Sequence, residues 1–95
     1  MLYRFKSGAT AEVIMTDTRG GQMLEIIGKT PTPRGIIAAA ALPAAILALE
    51  QAVLAEERAT EVPEPDRVTL RQRAWPLVEM FKRAQQAQVA VVWGV

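Results

Sequence analysis

Neither histidine nor cysteine occurs anywhere in the 95-residue sequence, and those two absences remove more chemistry than any motif supplies. Imidazole general-base catalysis, thiol nucleophiles, disulfides and the usual zinc and transition-metal sites all require one or the other. Carboxylate, amine, hydroxyl and guanidinium groups remain. A surplus of charge is missing too, since eleven Lys and Arg against ten Asp and Glu leave a net charge of +1. That supplies neither the broad basic field of a general nucleic-acid binder nor an acidic tail. No catalytic residue, metal or cofactor is expected, and no nucleic-acid partner.

Long apolar runs are also lacking. The longest uncharged stretch, Gly35 to Leu49, falls short of the roughly 18 to 20 residues that span a bilayer, and its alanine-rich composition reads as a buried helix. Met1 to Lys6 carries Arg4 and Lys6 with no apolar core behind them, unlike a secretory signal. A cytoplasmic protein with no membrane partner is expected. A single domain of this size buries only roughly 60 to 65% of the surface its unfolded chain exposes, so its stability margin is small. With 51% hydrophobic residues and no cross-link to help, burying a further face in a homodimer is a plausible remedy.

The patterns that are present predict elements. Leu2 to Lys6 alternates, Tyr3 and Phe5 on one side and Arg4 and Lys6 on the other, as in a half-buried strand. Glu12 to Thr16 is β-branched and short, a second strand that can pair antiparallel with the first. From Asp17 to Gly28 two readings stand. A helix capped by Asp17 or Thr18 and ended by a left-handed Gly28 is favoured. A hairpin turning at Gly20 and Gly21 remains open, because two glycines cost a helix about 1 kcal/mol each. Ile36 and Ile37 offer a short strand after the Pro31 and Pro33 loop. A helix then starts near Leu42 with Pro43 in its first turn and a core stripe of Leu42, Ile46, Leu49 and Val53, widened by Ala45 and Ala52. It ends among Glu56, Glu57 and Arg58, before a flexible acidic connector at about 59–67.

Thr69 and Gln72 stand at capping-box spacing before the last helix, Leu70 to Ala87. Its apolar stripe is Leu70, Ala74, Leu77, Val78, Phe81 and Ala84, and Pro76 is read as an interior residue that kinks a continuous helix. Val89 to Trp93 closes the chain as an apolar strand suited to a central position covered on both faces. Strands at both termini and helices between them predict an α+β domain over residues 1–95. Its three- or four-stranded, mostly antiparallel sheet packs against two or three helices.

One residue breaks the pattern. Trp75 falls on the polar side of the last helix, among Arg71, Gln72, Glu79, Lys82 and Gln86. An indole with Arg71 and Arg73 nearby has the composition of a protein-binding hot spot, and packing within the domain under Arg71 would leave the same pattern. The residues Arg71, Gln72, Arg73, Trp75 and Glu79 are therefore the candidate partner-binding face, for a second copy or another protein. Glu79 with Lys82 and Arg83 has the spacing of ordinary surface ion pairs. A second candidate is an anion site at a Gly20-Gly21 helix start assisted by Lys29 and Arg34, although no phosphate-loop or dinucleotide fingerprint is complete. A third is RNA contact through Arg67, Arg71, Arg73, Lys82 and Arg83 with Trp75 as a stacking platform. Glu56, Glu57, Glu61, Glu64 and Asp66 read as a solvated acidic connector.

The opening Met1-Leu2-Tyr3-Arg4-Phe5-Lys6-Ser7, the Val13-Ile14-Met15 strand, Ile26 to Lys29, Gly35 to Ile37 with Leu42 to Ala45, the block from Leu70 to Met80 and the terminal Val92 to Val95 together resemble a small bacterial family. It is known only as domain-of-unknown-function family eighteen-forty. The resemblance implies a short, stand-alone, cytoplasmic α+β protein, and it brings no activity, cofactor or site residue. The expectation drawn from the residues is a non-enzymatic interaction or regulatory module acting as a homo-oligomer.

Overall fold

The structure is a computed structural model that describes residues 2–59 and 68–94. Alternation of apolar and charged residues makes β1 (Leu2–Ser7), which turns at Gly8 and Ala9 into β2 (Thr10–Thr16). The two pair antiparallel with Tyr3 opposite Met15 and Phe5 opposite Val13, and a register shift follows between Phe5 and Ser7. The second strand thus begins two residues before the expected Glu12. At the far end of the chain β4 (Val91–Trp93) pairs with β1, and β3 (Gly35–Ile37) pairs with β4, both antiparallel, giving the sheet order β2-β1-β4-β3. Both terminal strands lie at the centre of the sheet.

The Asp17 stretch is a helix, α1 (Asp17–Ile26), and its cap is the hydroxyl of Thr16, which accepts from the Arg19 N–H, one residue earlier than the expected Asp17 or Thr18. Gly28 follows with φ of +83°, the left-handed position that favours glycine. A short 3-10 turn (Ala39–Ala41) leads into α2 (Leu42–Ala59), which buries Leu42, Ala45, Ile46, Leu49 and Val53 as its stripe requires. The acidic connector expected at about 59–67 lies outside the described residues, apart from Ala59 at the end of α2.

The third helix, α3 (Leu70–Ala87), opens on the full capping box: Thr69 Oγ1 accepts from the Gln72 N–H, and Gln72 Oε1 accepts from the Thr69 N–H. It runs through Pro76 without interruption, so the continuous reading holds. Besides the expected stripe it buries Met80. Gln88 closes it in the left-handed conformation, with its N–H donating to the carbonyl of Gln85.

One core joins the layers, with Phe5, Met23, Leu24, Leu42, Leu49, Leu77, Phe81, Val91 and Trp93 buried in it. Trp93 is fixed as firmly by its polar edge as by packing, because its Nε1–H donates to the carbonyl of Thr32 at 2.9 Å. The expectation that the last strand is covered on both faces is corrected: Val91 and Trp93 are buried while Val92 is only half-buried. The reason lies in the whole sheet, whose second face carries Leu2, Arg4, Ile14 and Ile36, all exposed. The helices cover one face, a common state for antiparallel sheets.

Candidate functional site

Helices α2 and α3 lie side by side, and the groove between them on the outer surface is built from a repeating pattern. Glu50 and Glu57 stand two turns apart on α2; Arg71, Trp75 and Lys82 share one stripe of α3. Arg71 forks onto Glu57 through two parallel bonds of 2.9 Å, from Nε to Oε2 and from Nη2 to Oε1. Lys82 reaches Glu50 at 3.3 Å. Between these pairs lies the indole of Trp75, with the Arg71 guanidinium 5.1 Å and the Lys82 ammonium 5.4 Å from its ring centroid. A cation near an aromatic ring is held by the ring quadrupole, so each cation here has two partners. A small cleft of about 120 Å3 opens beside the indole, lined by Glu50, Val53, Leu54, Arg71 and Trp75.

The hydrogen bonds from Arg71 hold the Glu57 carboxyl below the usual carboxylate range, and the same bonds push the Arg71 guanidinium up. Both side chains are nearly half exposed, so the effect is sensitive to salt.

Trp75 is thus half-buried and packs against the core under Arg71, on helix α2. Leu54 beside it is 45% exposed, and Leu47 two turns back is 55% exposed. These two leucines fall outside the stripe that packs α2 on the core, and that offset was the available signal that α2 has a second apolar face. By length and composition Ala39–Ala59 is the one helix among the described residues apolar enough to cross a membrane, its most apolar 18 residues having a mean hydropathy of 1.5. The uncharged run ends at Leu49, but the helix does not, and only 28% of those 18 residues are buried within the domain.

The other residues of the candidate face have different duties. Gln72 is committed to the capping box. Arg73 bends inward, donating to Gln22 Oε1 at 2.9 Å and lying 3.8 Å from Glu56, so it ties the start of α3 to α1 and α2. Glu79 is exposed one turn beyond Trp75. The ion pair expected between Glu79 and Lys82 is replaced by the reach of Lys82 to Glu50. Glu56 and Glu57 are likewise not part of a solvated connector: both are helical, Glu56 Oε1 accepting from the Leu70 N–H and Glu57 holding Arg71.

The alternative anion site does not assemble. Helix α1 starts at Asp17, which places a carboxylate in its first turn, and Gly20 and Gly21 are buried further along. A β-carbon on Gly20 would lie 2.8 Å from Tyr3 Cβ, and one on Gly21 would lie 3.6 Å from Pro31 Cβ. Gly20 permits close packing against Tyr3, whereas Gly21 meets only an ordinary contact. Lys29 lines a shallow cleft of about 440 Å3 with Gly28, Thr30, Thr32, Gly35, Ile36 and Trp93, while the Arg34 Nε–H is bound to the carbonyl of Gly94. Of the residues considered for RNA, Arg67 lies outside the described residues, Arg71, Arg73 and Lys82 are engaged in ion pairs, and Arg83 is exposed.

Residues 1–93 match the model of the family described as Domain of unknown function (DUF1840), and the chain belongs to that family. No curated protein and no solved structure matches it.

Proposed function

We propose that this protein is a non-enzymatic, cytoplasmic interaction module that works as a homo-oligomer and offers the α2–α3 groove at Trp75 to a protein partner. The observation that carries the reading is the juxtaposition of Trp75 and the exposed Leu54 at one cleft, with the two charged pairs that frame the indole. A rigid aromatic partly seated in its own domain presents area to a partner at low entropic cost, and flanking ion pairs supply a polar rim. The absence of His and Cys from the sequence supports the non-enzymatic part. So does the arrangement of Glu50, Glu56 and Glu57, which hold Lys82, the Leu70 N–H and Arg71.

Comparative capture from lysate tests the groove, using wild type and Leu54→Lys as matched baits whose melting curves are recorded in parallel. A defined set of proteins retained by wild type and lost by the variant, with equal melts, is the expected result. Identical sets, or a variant that loses the fold along with its partners, would remove the groove from the account.

A further inference from the structure

The sheet has two edges, and they are not alike. The β3 edge is three residues long and follows a loop containing Pro31 and Pro33. The β2 edge runs seven residues, Thr10–Thr16, and contains no proline, lysine or arginine. Its single charge, Glu12, is bonded to Arg4 of β1 at 2.8 Å. Edge strands are ordinarily blunted by proline, bulges or charge, because their free N–H and C=O groups will pair with another strand. This one has a register irregularity at Ala11 and Glu12, opposite Lys6, but none of those devices from Val13 to Thr16, and it carries Ile14 at 50% exposure. Space lies alongside it: a cleft of about 260 Å3 separates Val13, Ile14, Met15 and Thr16 from Arg19, Gln72, Arg73 and Pro76.

We infer that β2 pairs antiparallel with the β2 strand of a second copy, about a two-fold axis at Ile14, joining two four-stranded sheets into one of eight. This rests on the homo-oligomeric part of the proposed function and names its contact. The charge pattern selects both occupant and register. Centred on Ile14, the pairing sets Ile14 against the partner's Ile14, Val13 against the partner's Met15, and Glu12 against the partner's Thr16. Like charges never meet, since the two glutamates end up four residues apart along the junction, about 13 Å. Centred on Val13 instead, each glutamate would face isoleucine and the two would lie only about 7 Å apart. β-Branched pairs directly opposed on a sheet face are favourable. Five paired residues bury less than the roughly 800 Å2 per partner of a standard interface, so the dimer should form in the micromolar range.

Because the chain has no cysteine, a single introduced thiol reports the contact without background. Ile14→Cys, Ile36→Cys on the other edge and Leu54→Cys on α2 are treated with a short bis-maleimide and resolved by mass. Ile14→Lys is run beside wild type in sedimentation velocity and melting. The expected result is covalent dimer from Ile14→Cys only, and an Ile14→Lys protein that melts as wild type does but associates at least roughly tenfold more weakly. A dimer that survives Ile14→Lys and cross-links through Cys at position 54 would overturn this inference while leaving self-association intact. A wild-type protein monomeric throughout would remove both.

Discussion

Adding one methyl group to each of two adjacent glycines should move stability in opposite directions. Gly20 and Gly21 both lie inside α1, where alanine is favoured over glycine by about 1 kcal/mol, so propensity alone would make either substitution stabilising. The surroundings differ. A β-carbon on Gly20 would stand 2.7 Å from Tyr3 Cγ and 2.8 Å from Tyr3 Cβ, the base of a side chain rather than its free end. Tyr3 cannot swing aside, being 7% exposed and stacked on Phe5 with ring centroids 6.0 Å apart. Helix and strand must therefore separate, and overpacking of this kind costs typically 1 to 3 kcal/mol, which outweighs the propensity gain. On Gly21 the nearest atom would be Pro31 Cβ at 3.6 Å, an ordinary contact, so the gain survives. Gly20→Ala should destabilise by up to about 2 kcal/mol and Gly21→Ala should stabilise by about 0.5 to 1 kcal/mol. In a domain of this size that separates the two melting temperatures by on the order of 10 °C. Far-UV circular dichroism melts with matching urea curves measure it. Two variants that shift in the same direction would refute the packing argument. Loss of affinity for inorganic phosphate, with stability unchanged, would restore the anion-site reading.

Removing Val92 to Val95 takes out the Trp93 side chain, which is 2% exposed, and the strand between β1 and β3. Losing a buried tryptophan alone costs about 3 to 5 kcal/mol, so the truncated chain should show no cooperative melt by circular dichroism. Trp75→Ala, at a half-buried site, should cost less, about 1 to 3 kcal/mol, and leave a folded protein with a lower melting temperature, as differential scanning calorimetry would record. The Glu57 carboxyl, held down by Arg71, should titrate below the usual carboxylate range by NMR and return to that range in Arg71→Gln. Because its folded-state pKa is depressed, the stabilisation from this pair is present above the usual carboxylate range and fades as pH falls through the folded value. Wild type and Arg71→Gln should accordingly converge in stability on acidification; an unchanged gap at low pH would contradict the pairing.

Most of the fold was legible where a short local pattern decides the outcome. The Thr69 and Gln72 spacing marked the start of α3, Pro43 marked that of α2, and alternation around Tyr3 and Phe5 marked β1. What escaped was set by contacts distant in sequence. Gly20 looked like a fault in a helix because Tyr3, which needs the space, lies in β1, while Gly21 has no such neighbour. Lys82 has Glu79 one turn away on its own helix yet bonds Glu50 of α2, and Glu57 looked like connector because its partner Arg71 lies 14 residues on, in another helix. The open sheet face was hidden for the same reason: the apolar run in β4 suggests burial on both sides, and only the placement of all three helices shows that one side is left uncovered. Trp75 was singled out as the residue at odds with its helix, and it is half-buried. Its cover, two cations and the flank of α2, could not be read from a helical wheel of α3 alone.

Self-association is the claim on which most of the account depends, and sedimentation velocity of the wild-type chain across the micromolar range tests it most directly. A weight-average sedimentation coefficient that rises with concentration from monomer toward dimer is the predicted result. A single monomeric boundary at every concentration would contradict it.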